Sequence, residues 1–226
     1  MATRTDRPAW TPDPEAPGRV SAVTTDGRQL RRERNREAVV DALLDLYREG
    51  NLQPGTEEIA DRSGLSPRSL FRYFDDVDDL IRTAIRHQEH RVAHLVPIEV
   101  GPDQPLADRV QALVAQRFHL FDAVGHAATV ARLRAPFQPV LAEEVRQHRV
   151  FLRSQIATLF RAELAAGDKG SGAAVLAAAD VLTSFESCQL LLTGQSLSPA
   201  RARAVVVGAL MALFSSSKAG TGTDRT

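Results

Sequence analysis

Residues 56–84 read TEEIADRSGLSPRSLFRYFDDVDDLIRTA, and the fold follows from this stretch. Thr56 is placed to N-cap a short helix whose first turn carries Glu57 and Glu58, charges that complement the helix dipole. Gly64 suits the tight turn that ends it. Ser66 is placed to cap the next helix, with Pro67 at the first helical position, where its missing N–H costs nothing. Two short helices around a glycine-centred turn make a helix-turn-helix. Ala60 is small where the two helices cross, and Ile59, Leu65, Leu70 and Phe74 are apolar where the pair must pack on a preceding helix. An ordinary helical hairpin also wants a glycine turn and this apolar spacing. It does not explain the small and polar run Ser66, Pro67, Arg68 and Ser69, which leaves the N-terminal face of the second helix open to a DNA groove, as a recognition helix requires.

Upstream, residues 28–50 (RQLRRERNREAVVDALLDLYREG) repeat Val39, Val40, Leu43, Leu46 and Tyr47 at three- and four-residue steps. Arg36, Asp41, Asp45 and Arg48 take the other face, and Gly50 is the expected stop. Residues 1–27, with Pro8, Pro12, Pro14 and Pro17 among small and polar residues, read as a disordered tail. Downstream, a fourth helix runs from the acidic turn DDVDD to about His94, before Pro97. Breaks at Gly101-Pro102, Gly125, Pro136, Pro139, residues 167–172 and Ser198-Pro199 then leave five further helices, at 104–123, 126–134, 138–166, 172–193 and 199–214. Alternating, β-branched strand patterns are absent. The predicted fold is all-α, with a helix-turn-helix domain at 28–75, a larger helical domain at 76–215 whose first part (76–94) links the two, and a second disordered tail at 216–226.

The 226 residues are 43% hydrophobic and 25% charged with a formal net charge of zero, which argues against a non-specific nucleic-acid coat. Specific DNA binding needs only a local basic patch, and Arg28, Arg31, Arg32, Arg34 and Arg36 supply one against Glu33 alone. No apolar run approaches the roughly 18 residues of a membrane helix. The first twenty residues lack the apolar core of a secretory signal, so a cytoplasmic protein with no membrane partner is expected. A single cysteine, Cys188, excludes an intrachain disulfide framework and a Cys-rich zinc site. No phosphate-binding glycine loop, nucleophile elbow or HExxH is present, so neither an enzyme nor a cofactor is predicted.

The stretch GLSPRSLFRYF, followed by the acidic turn and Leu80-Ile81, resembles the DNA-binding signature of the tetracycline-repressor (TetR) family of bacterial regulators. The resemblance is specific over about residues 30–85 and beyond them covers only a layout. It implies a homodimer whose recognition helices enter successive major grooves of a double-stranded, pseudo-palindromic operator, and a repressor released by a small-molecule effector. Activation, or regulation without such a ligand, is the alternative. Carried over residue by residue, Arg68 and Ser69 are the implied base readers, Arg being able to hold guanine O6 and N7 bidentately. Phe71 is placed against a thymine methyl. Thr56, Ser66, Arg72 and Tyr73 are the implied phosphate contacts, which position without reading sequence. Arg31, Arg32 and Arg36 are placed to reach the backbone or the adjacent minor groove. One departure is plain: the family often has a phosphate-binding Lys where this chain has Val77.

In the second domain, Ala204, Gly208 and Ala212 of SPARARAVVVGALMALF (198–214) lie four residues apart and make a smooth ridge. The preceding helix repeats the small-residue habit in AAVLAAADVL (173–182). Two such helices from each subunit would make a four-helix bundle across a two-fold axis; intrachain packing of the ridge is the other reading. Polar groups stranded on apolar helices mark the expected effector pocket: His119 beside Phe118, His126, Gln155 near Phe151, and Glu186 and Gln189 beside Phe185. Satisfied core or surface groups would look the same. His87, His90 and His94 share one helix face at a spacing that suits a metal, but no Cys or acidic residue is spaced to complete the site, so an exposed or interdomain face is expected and no metal. A helical interaction module with a purely structural helix-turn-helix is the remaining rival, and the arginine-rich start of the first helix argues against it.

Overall fold

The computed structural model describes residues 27–166 and 169–219, and among them the chain is all-α, with ten α-helices and no strand. The helices are α1 (Gly27–Arg48), α2 (Thr56–Ser63), α3 (Pro67–Leu70), α4 (Val77–Val92), α5 (Leu106–Arg134), α6 (Pro139–Leu159), α7 (Arg161–Ala165), α8 (Lys169–Leu182), α9 (Phe185–Gln189) and α10 (Pro199–Ala219). The expected disorder of the two tails concerns residues that, apart from Gly27 and 216–219, lie outside the described ones. Gly27 opens α1, and α10 continues to Ala219, past the expected end of the domain at 215. No single described helix is long and apolar enough to cross a membrane.

The described residues divide into two compact units, 27–93 with 124–146, and 94–123 with those from 147 to 219. The first has its own core. Val39, Val40, Leu43, Leu44, Leu46 and Tyr47 of α1 meet Ile59 and Ala60 of α2, Leu70, Phe74, and Leu80, Ile81 and Ala84 of α4, with Val130 and Leu141 closing the cluster. This is the three-to-four-residue periodicity of the sequence realised as one buried face. Gly50 and Gly64 both take the left-handed conformation (φ 88° and 72°) that ends α1 and α2, as only glycine does without strain. In the second unit α8 packs with α7 and α10, the Phe160 and Phe214 rings stack at 4.2 Å between centroids, and Phe121 meets Phe185 edge-on at 5.5 Å.

Several predicted boundaries change. The break expected at Gly125 does not occur: α5 is continuous from Leu106 to Arg134, because one glycine costs a helix only about 1 kcal/mol and the alanines around it favour helix. The helix expected at 138–166 pauses at Phe160, between α6 and α7. The one expected at 172–193 breaks at Thr183-Ser184, where the Ser184 hydroxyl accepts from the Ser187 N–H (3.1 Å) and caps α9. Thr56 is not the N-cap of α2. Gly55 holds that position, and the Glu58 carboxylate reaches back to accept from its N–H at 2.7 Å. The helix predicted to start at Pro67 is regular only over Pro67–Leu70. Beyond it, three-residue bonds from Arg72 N–H to Ser69 C=O (3.1 Å) and from Tyr73 N–H to Leu70 C=O (2.9 Å) tighten the coil.

Candidate functional site

In the first unit, the segment 66–74 is held from beneath and open above. Leu70 and Phe74 are buried. Ser66 caps α3, its hydroxyl accepting from the Ser69 N–H at 3.2 Å and meeting the Ser69 hydroxyl at 3.0 Å. Ser66, Arg68, Phe71 and Arg72 face solvent, Phe71 with half its surface exposed. A phenylalanine so placed costs solubility and gains nothing from the core, which suits a side chain meant for an apolar patch outside the chain. Pro67, Ser69 and Thr56 are half-buried. Tyr73 is half-buried too, and its phenol oxygen accepts a 2.8 Å hydrogen bond from Asn35 Nδ2 of α1. The phenol O–H remains available as a donor.

Arg31 and Arg32 are exposed on the N-terminal half of α1. Arg36, expected beside them, turns inward instead. Its guanidinium lies 5.2 Å from the centroid of the Phe74 ring, Nη2 donates to Thr83 Oγ1 of α4 at 3.1 Å, and Nε is buried. Arg36 precedes Val39 and Val40 by three and four residues, so it shares their buried face rather than the opposite one. Val77, at the first position of α4, is partly exposed, and Asp76 caps that helix by accepting from the Asp79 N–H at 2.7 Å. Of the three histidines, His87 sits 3.6 Å from Asp41, while His90 and His94 are exposed.

The residues expected around an effector differ in exposure. Phe118 and Phe185 are buried, Phe151, Gln155 and Gln189 half-buried. His119 is exposed, and so is His126, which belongs to the first unit. Glu186 is exposed and pairs with Arg149. Gln155 alone among the polar candidates enters a buried network: its Oε1 accepts from Arg117 (2.9 Å) and its Nε2 donates to the Val96 carbonyl (3.0 Å). Sequence reasoning missed the centre of that network, Arg117, and its neighbours Gln116 and Arg109, all buried on α5. The signal was present, since Arg117 follows Val110, Leu113 and Val114 at helical spacing and so occupies an apolar register.

Ala204, Gly208 and Ala212 are all exposed within the single chain. A Cβ added at Gly208 meets no neighbouring element within 4 Å. Val205 of α10 and Val181 of α8 stand 50% and 63% exposed, and Ala173, Ala174 and Ala177 of α8 are exposed as well.

No protein-family model and no curated protein matches the sequence. Solved structures do match the fold. A transcriptional regulator from Rhodococcus sp. Rha1 superposes with a TM-score of 0.58 at 18% identity, covering 80% of this chain and 95% of its own. A protein described as a TetR-family transcriptional regulator from Rhodococcus sp. gives 0.58 at 17% identity, covering 82% and 99%. The multidrug binding protein EbrR, in complex with imidazole, gives 0.51 at 20% identity, covering 78% and 92%.

Proposed function

We propose that this chain, which has the fold of the TetR-family transcriptional regulators, is itself such a regulator: a homodimeric repressor that binds a pseudo-palindromic operator and leaves it when a small molecule binds the second unit. The observation that carries the reading is the segment 66–73. A glycine turn and two buried anchors, Leu70 and Phe74, present Arg68, Phe71 and Arg72 outward along α3 and the tightened turn that follows it. Arg68 reads a guanine, Phe71 packs on a thymine methyl, and Arg72 and Tyr73 grip phosphates, with Arg31 and Arg32 reaching the flanking backbone. Arg36 braces α1 against α4 and takes no part.

The exposed ridge of α10 and the small residues of α8 support pairing. Apolar and small surfaces on two adjacent helices are what a two-fold helical bundle buries. Half-sites one turn apart fix two recognition helices about 34–36 Å from centre to centre. A ligand that favours a dimer of any other spacing weakens DNA binding, and DNA weakens ligand binding by the same factor.

The test is binding of the full chain to the DNA flanking its own gene, followed by fluorescence anisotropy. Nanomolar binding to one palindromic segment, with Arg68→Ala relaxing the preference at one base pair of each half-site, is expected. Equal affinity for all duplexes, or an unchanged preference in Arg68→Ala, refutes the assignment.

A further inference from the structure

α5 carries two buried arginines eight residues apart, both in the second unit, and the fold treats them differently. Arg109 is 4% exposed and has a full counter-ion. Glu163 takes both arms of its fork at 2.8 and 2.9 Å, while the Gln104 and Leu159 carbonyls accept two more of its donors at 2.8 Å. Arg117 is 1% exposed and has none. It donates to Gln155 Oε1 (2.9 Å), to the Leu152 carbonyl (2.9 Å) and to Gln116 Oε1, all neutral acceptors, and it forms no ion pair among the described residues. Asp180 lies close enough to act on it electrostatically but is engaged by Arg153 at 3.3 Å. The neighbouring Cys188 thiol, pushed up to about 12 by burial, is neutral. Burial draws Arg117 down to about 10, which leaves it a cation at neutral pH.

A buried cation whose hydrogen bonds all go to neutral acceptors is costly, and a carboxylate at those positions relieves that cost by adding a full opposite charge at hydrogen-bond distance. A carboxylate group also has the planar, two-pronged shape of the carboxamide ends that now face Arg117. Those ends belong to long, rotatable glutamines, which can withdraw where the Leu152 backbone cannot. A phosphate dianion fits less well, since one buried cation cannot offset its second charge. We propose that Arg117 is the recognition group for a small monocarboxylate effector, whose oxygens replace the amide oxygens of Gln116 and Gln155 at the guanidinium. This rests on the reading of the chain as an effector-responsive regulator and gives the effector its chemical class. The same two amides donate to the carbonyls of Leu95 (2.8 Å) and Val96 (3.2 and 3.0 Å). Displacing them therefore frees the segment that continues the chain from α4.

The experiment is calorimetric titration of the full chain with benzoate, phenylacetate and hexanoate, each against its neutral amide, and with inorganic phosphate, alongside operator release by anisotropy. At least one carboxylate is expected to bind tenfold or more tightly than its amide and than phosphate. Arg117→Met, which removes a charge that has no counter-ion, is expected to weaken that binding at least tenfold. Arg117→Lys, which keeps the charge without the fork, should fall between and serves if the Met variant does not fold. Absence of carboxylate binding, amides that bind equally, or affinity unchanged in both variants overturns the proposal. If a neutral member of the panel releases operator equally from the natural chain and the Arg117 variants, the effector reading stands and the carboxylate site falls. If a carboxylate binds through Arg117 without changing operator affinity, the site stands and the effector reading falls.

Discussion

Replacing Tyr73 by Phe removes one oxygen atom and separates the bond it makes within the chain from the phosphate contact proposed for it. Its phenol accepts from Asn35 Nδ2 at 2.8 Å, joining the segment 66–74 to α1 across 38 residues of sequence. A neutral, partly buried hydrogen bond contributes about 0.5–1.5 kcal/mol to stability, so Tyr73→Phe should lower the unfolding free energy by about 1 kcal/mol in urea melts. The phenol O–H is still free to donate to a DNA phosphate, and a hydrogen bond to a charged acceptor contributes about 1.5–3 kcal/mol. At the lower end, operator affinity falls about tenfold. The loss should be equal for operator and scrambled duplex, because a phosphate carries no base information. The slope of log affinity against log salt should not change, since a neutral hydroxyl displaces no counter-ion. Arg72→Ala, by contrast, should reduce that slope by about 0.9. Asn35→Ala keeps the phenol but loses its tether, so it should cost similar stability and less affinity than Tyr73→Phe. Anisotropy titrations at two salt concentrations decide the matter. A Tyr73→Phe protein that binds both duplexes as tightly as the natural one, or that loses affinity for the operator alone, refutes the phosphate assignment.

Three further outcomes are expected. Glu163→Gln strips the counter-ion from buried Arg109, and urea unfolding should show a loss of about 3–5 kcal/mol; a change below 1 kcal/mol would mean that the pair is dispensable. A Cβ added at Gly208 meets no neighbouring element within 4 Å, so the cost of Gly208→Leu, about 1–3 kcal/mol, should fall on assembly, and sedimentation should show a shift to monomer with the helical content preserved. The Cys188 thiol, held up to about 12 against 9.0 for a free thiol by burial, should resist iodoacetamide at pH 8 and react once the chain is unfolded. Because its folded pKa is the higher one, stability is full below pH 9 and declines toward pH 12 as the unfolded chain loses its proton first; rapid labelling of the folded protein at pH 8 would contradict the burial.

Local pattern carried most of the architecture. The spacing of Val39, Val40, Leu43, Leu46 and Tyr47, the Ser66-Pro67 start and the turn at Gly64 each depend on residues within one or two turns of one another. Helical periodicity and capping chemistry therefore determine them from sequence alone. The same reasoning found Leu70 and Phe74 as anchors, and placed Arg68, Phe71 and Arg72 on the open face. It identified Ala204, Gly208 and Ala212 as a ridge, while only the folded chain showed that ridge to be exposed. It failed wherever the partner of a side chain lies far along the sequence. Arg36 bonds Thr83 across 47 residues, Arg109 pairs with Glu163 across 54, and Arg117 meets Gln155 across 38. In sequence the apolar register of Arg36 and Arg117 marks a buried face, but nothing local shows which acceptor meets the charge there. Burial of a charge depends on whether a distant acceptor arrives to receive it, and only tertiary packing sets that distance.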